Sequence, residues 1–111
     1  MHVRNAEADT RRMDDVGLRN LITRKECANV SIAEAELEGS HGPSRSHRSD
    51  RIYYLISGHA KVAVDDEVYE VAPGDAILIP KGARHAISGN AKYLVINSPA
   101  FDPNQEEILD K

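Results

Sequence analysis

Residues 39–58, GSHGPSRSHRSDRIYYLISG, decide how this chain folds. A glycine-rich turn opens the stretch, a polar segment follows, and Ile52-Tyr53-Tyr54-Leu55-Ile56 then runs apolar into Ser57-Gly58. Along an extended chain alternate side chains share a face. Unbroken alternation would therefore project Arg45, His47, Ser49, Arg51 and Tyr53 the same way. Cationic and titratable groups on one strand face, just ahead of an aromatic run, do not make a core. They make the wall of a pocket. Tyr54 and Ile56 on the opposite face leave the strand apolar on both sides. That outer face needs a cover, from a second sheet, the N-terminal segment or a partner subunit.

Upstream, residues 29–38 (NVSIAEAELE) alternate Ser31, Ala33, Ala35 and Leu37 with Ile32, Glu34, Glu36 and Glu38. That pattern suits a strand with one sheltered and one wet face, ended by Gly39. Residues 1–16 are polar and charged without a sustained period and read as an irregular arm, with a short strand at 18–22. Downstream, residues 59–64 and 68–71 form a hairpin around the polar Asp65-Asp66-Glu67 turn. Pro73-Gly74-Asp75 turns again, 76–79 is a short apolar strand closed by Pro80, and 84–88 and 92–97 are two further strands parted by Gly89-Asn90. Short strands separated by turns, with no long helix, predict an all-β barrel or sandwich. The division read from this pattern is an N-terminal arm over 1–28, a barrel over 29–103 and a tail over 104–111, the tail carrying one helical turn at 106–109.

The composition excludes several classes. At 111 residues and 12.2 kDa the chain supports one core, and its 41% hydrophobic and 29% charged residues belong to a globular protein. A formal net charge of -4 disfavours non-specific nucleic-acid binding, which needs a cationic surface. No apolar run approaches the roughly 20 residues of a membrane-spanning helix. Nor does MHVRNAEADTRRMDD carry the apolar stretch of a secretory signal, so the expected compartment is the cytoplasm. Cys27 stands alone, which removes a disulfide framework and a cysteine-based zinc site.

Two spacings are specific. Gly39-x5-Arg45-x-His47-x3-Arg51-x6-Gly58 resembles the first cupin motif, Gly-x5-His-x-His-x3or4-Glu-x6-Gly. Gly74-x5-Pro80-x-Gly82-x2-His85 resembles the second, Gly-x5-Pro-x-Gly-x2-His-x3-Asn, with Gly89 where the asparagine belongs and Asn90 one place late. The likeness runs from about Val30 to Pro103 and takes in the ending LVINSPAFDP. It implies a cupin-type double-stranded β-helix (jelly-roll) barrel and, as in many small cupins, a homodimer.

Cupins that hold a divalent metal use two histidines and a glutamate from the first motif and a histidine from the second. Carried over, those places fall on Arg45, His47, Arg51 and His85. A guanidinium has no lone pair for a metal and repels a cation. The resemblance therefore implies an altered metal site. The leading expectation is a small-molecule binding protein whose pocket is lined by Arg45, His47, Arg51, Tyr53 and His85. The arginine forks would there take a carboxylate, phosphate or sugar derivative. The alternative for the arginines is a solvent or salt-bridging role. The second functional reading is an isomerase- or lyase-type enzyme. In it His47 and His85 retain a divalent transition metal (zinc, nickel, manganese or iron) if a third donor such as His41 joins them. Its candidate catalytic residues are His47 and His85 as bases and Tyr53 as proton donor. The sequence names no substrate.

Overall fold

The computed structural model describes residues 1–109. Eight strands form one antiparallel sheet: β1 (Asp9–Met13), β2 (Val16–Ile22), β3 (Ser31–Ser46), β4 (Asp50–Val64), β5 (Glu67–Val71), β6 (Ala76–Ile79), β7 (His85–Ser98) and β8 (Glu106–Ile108). Strands run in the order β1-β2-β3-β7-β4-β5, while β6 pairs with the free half of β4 and β8 with the end of β3. The only helical turns among the described residues are 3-10 turns at Asn5–Glu7 and Pro103–Gln105. The fold is the all-β jelly-roll barrel. No helix among the described residues is long and apolar enough to cross a membrane.

Three strands are far longer than the sequence suggests. Glycines 39, 58 and 89 read as strand ends, yet β3, β4 and β7 pass through them. The reason is geometric. Gly39 pairs with Gly89, and Gly89 with Ala60, so the small residues form a row across the sheet where it coils over itself. A Cβ on Gly89, at φ +135°, would stand 2.5 Å from the His59 carbonyl oxygen and 3.0 Å from Ala60 Cα. Glycine lets the strands bend and cross there instead of stopping. One ribbon of strands thus supplies both walls of the barrel.

The segment read as an irregular arm is corrected in part. Residues 9–13 pair with β2, Asp9 opposite Asn20 and Met13 opposite Val16, and β2 continues the sheet onto β3. Polar side chains hid this strand, because it is an edge whose β1 burial is slight. The helical turn expected at 106–109 is corrected as well. Residues Glu106–Ile108 are extended and pair with residues 44–46, because the turn Pro103–Gln105 delivers them antiparallel to β3.

Alternation holds within the elements. Ala35 and Leu37 of β3, Tyr53, Leu55, Ala60 and Val62 of β4, and Ile87 and Tyr93 of β7 point into one buried cluster. Leu55 and Tyr93, 2% and 1% exposed, fill its centre. Ile52, Tyr54 and Ile56 stand on the outer face of β4 and stay exposed, so neither a second sheet nor the N-terminal segment supplies the expected cover.

Candidate functional site

Between the sheet halves lies a cavity of about 430 Å³. Most of its wall is apolar, built from Val16, Leu18, Ile22, Tyr53, Tyr93 and Val95. Arg51 from β4, Asn97 from β7 and Glu106 from β8 meet on this wall, which elsewhere also carries Arg11, Asp14, Asn20 and His41. Tyr53 and Tyr93 meet edge to face with centroids 5.0 Å apart, which fixes the aromatic wall.

Arg51 is the centre of this meeting point and is only 6% exposed. Its Nε donates to Asn97 Oδ1 at 2.6 Å, its Nη1 meets His85 Nε2 at 3.0 Å, and its Nη2 donates to Glu106 Oε1 at 2.8 Å. Its Cζ also lies 5.9 Å from the centre of the Phe101 ring. Arginine has donors and no acceptor, so His85 Nε2 has to be the acceptor. The proton then sits on Nδ1, which donates to the Ala83 carbonyl at 3.2 Å. Burial and the adjacent Arg51 charge lower the His85 pKa from 6.5 to about 4, so the ring is neutral at neutral pH. Burial likewise raises Tyr53, with the Arg51 charge opposing, so its phenol stays protonated.

Arg51 and Tyr53 line the cavity; His85 does not, but it contacts both, Arg51 at 3.0 Å and the Tyr53 ring with centroids 6.2 Å apart. Arg45 and His47 do not join them. Arg45 Nε donates to the Gly82 carbonyl at 2.8 Å, and His47 Nε2 lies 2.7 Å from Glu107 Oε1 on a half-exposed rim. Neither lines the cavity. The inward residues are Ser44 and Ser46, 9% and 4% exposed. Unbroken alternation fails because residues 47–49 turn. The Ser46 hydroxyl caps the turn by accepting from the Ser49 and Arg48 amides at 3.0 and 3.3 Å, which resets the parity before Arg51. Four residues, not three, thus separate the second inward position from Arg51. The buried polar side chains of this segment are Ser44, Ser46, Ser49 and Arg51, with Ser44 and Arg51 on the cavity wall.

His41 sits on the cavity wall but is held by Asp14, 3.0 Å from Nδ1 to Oδ2. His59 is exposed. Asn97 and Glu106 were not singled out by motif. Asn97 had a signal, since it is the polar member of the inward row Tyr93, Val95, Asn97. Glu106 had none: its role depends on β8 crossing the barrel mouth. Its second oxygen, Oε2, is buried and has no hydrogen-bond partner among the described residues.

The fold and its internal cavity define a small single-domain jelly-roll barrel. The Cupin domain profile matches residues 34–97, and the chain belongs to that family. It is 36% identical over 86 residues to an uncharacterized protein of Methanocaldococcus jannaschii, covering 72% of this chain and 69% of that one. An uncharacterized Streptomyces coelicolor protein is 32% identical over 75 residues, covering 64% of this chain and 71% of the other. Among solved structures, the Streptomyces nucleoside dehydratase Pac13 superposes with TM-score 0.90 at 18% identity, over 98% of this chain and 90% of its own. KdgF from Halomonas superposes with TM-score 0.79 at 19% identity, over 92% and 96% of the two chains.

Proposed function

We propose that this cupin binds a small organic molecule in the barrel cavity without a resident metal. The observation that carries this reading is the Arg51–His85 contact. A metal at the family position would need the His85 Nε2 lone pair, and Arg51 takes that lone pair at 3.0 Å. The neighbouring inward groups, Ser44 and Ser46, are hydroxyls rather than imidazoles, and Arg51 stands where the family has a carboxylate. This donor set does not fit a divalent transition metal. Among the described residues no three histidine, cysteine, aspartate or glutamate side chains gather. The metal-dependent alternative also asks His47 to join His85, yet His47 stands on the rim with Glu107.

The cavity volume lies within the range of small-molecule pockets, and its aromatic wall suits a planar or ring-containing body. Pac13, a barrel of the same shape, has structures with uridine, which supports a ligand of that size here. The test joins metal analysis of untagged protein to calorimetric titration with uridine and a library of neutral ring compounds. Substoichiometric metal together with saturable binding, lost in Tyr53→Ala, is the expected result. Stoichiometric tightly held zinc, nickel, manganese or iron would overturn the reading.

A further inference from the structure

We infer that the Arg51–Glu106 part of the cavity selects an uncharged ligand edge carrying a hydrogen-bond acceptor beside a donor, as in a carboxamide, lactam or imide. This rests on the small-molecule reading above and specifies its ligand. The sequence suggested a carboxylate or phosphate, because arginine forks recognise anions. The tertiary structure changes the setting of those arginines, although Arg11 and Arg51 both stand on the cavity wall. Arg45 faces away from the cavity, and the charge of Arg51 is met inside by Glu106 at 2.8 Å, their side chains only 7% and 16% exposed.

An entering anion would face a carboxylate as well as a guanidinium, in a site whose low polarity strengthens both interactions. The pair together is neutral. What it lacks is hydrogen bonds of a particular kind. Arginine has five N–H groups; Asn97, His85 and Glu106 take three and the Tyr53 hydroxyl is within hydrogen-bonding reach of the guanidinium, so at least one donor remains. Glu106 has the opposite need. Oε1 accepts from Arg51, whereas Oε2 is buried without a donor among the described residues. An unsatisfied buried carboxylate oxygen is costly, and the site gains most from a group that supplies its missing proton donor. Oε2 is closed to water at rest, but the terminal torsion of glutamate is broad, and a modest turn presents that oxygen to the cavity. A carbonyl on Arg51 and an N–H on Glu106 would then complete both residues with no net charge brought in. The ring body would lie along Tyr53, Tyr93 and Val95.

A matched pair of probes tests this. Naphthalene-2-carboxamide and 2-naphthoate share a body and differ in the charge and donor of the head. At pH 7.5 the wild-type protein is expected to bind the amide at least about tenfold more tightly. Glu106→Gln, which removes the negative charge and leaves Arg51 unbalanced, is expected to reverse the preference toward the carboxylate. Equal or tighter wild-type binding of the carboxylate would overturn the inference while leaving the small-molecule reading intact. Failure of both probes, uridine and the neutral library would remove the reading itself and the inference with it. If Glu106→Gln does not fold, the wild-type ratio decides alone.

Discussion

His85 is a histidine whose neighbours forbid it a proton. Its folded pKa of about 4 lies below the ordinary 6.5, so the unfolded chain binds the extra proton first as acid is added. Stability from this group is complete above about pH 6.5 and falls as pH drops toward 4. The span corresponds to about 3 kcal/mol. Denaturant unfolding at stepped pH is expected to show that slope, and His85→Gln to flatten it between those limits. Arg51 makes a second prediction. Arg51→Ala strands the Glu106 carboxylate and should cost about 3–5 kcal/mol. Arg51→Met/Glu106→Leu removes both charges and should recover most of that loss. If the double variant is no better than the single, Arg51 acts mainly through packing on Phe101 and Tyr53.

At the scale of elements, bent strands and a crossing tail shape the site. Gly89 and Gly74 both have positive φ, +135° and +91°, but their surroundings differ. A Cβ on Gly74 meets nothing within 4 Å, whereas one on Gly89 runs into the β4 backbone. Gly74→Ala should therefore cost only the backbone strain, about 1 kcal/mol. Gly89→Ala should cost clearly more, and comparing their thermal midpoints checks it. Equal losses would mean that the crossing of β4 and β7 is not tight. Strand β8 faces both ways, with Glu106 inward on Arg51 and Glu107 outward near Arg45 and His47. The outer contacts are half-exposed and of small worth, while the inner one is buried. His47→Ala should accordingly change stability by less than about 1 kcal/mol in the same unfolding assay.

For the whole molecule, the outer face of β4 and β6 is the open question that the apolar pattern raised. Ile52, Tyr54, Ile56 and Leu78 are 37%, 42%, 41% and 61% exposed, and Ile52 lies opposite Leu78 in the pairing. A row of this kind on a paired sheet is costly to leave in water. We propose that a second copy of the chain covers it. Sedimentation should give twice the chain mass, and Tyr54→Lys/Leu78→Lys should give the single mass with the fold retained. A wild-type monomer at high concentration would overturn the dimer.

Much of the barrel was legible beforehand because alternation and turn residues are local. The inward row of β4, the β4–β5 hairpin and the short strand β6 follow from side chains two apart in sequence. The glycine row was misread as strand ends because a bend and a stop need the same backbone freedom. On the cavity wall, strand parity alone put Arg51 and Tyr53 facing inward, where the structure has them, while His85 reaches them without lining the cavity. The same parity misplaced Arg45 and His47, since the turn at 47–49 shifts it by an amount no local residue announces. The partners of Arg51 were beyond its reach altogether. Asn97 and Glu106 stand 46 and 55 residues away, and only the closed barrel brings their oxygens to one guanidinium. Side-chain chemistry determined which groups could meet; chain crossing decided which did, and so set the Glu106 carboxylate against the Arg51 guanidinium.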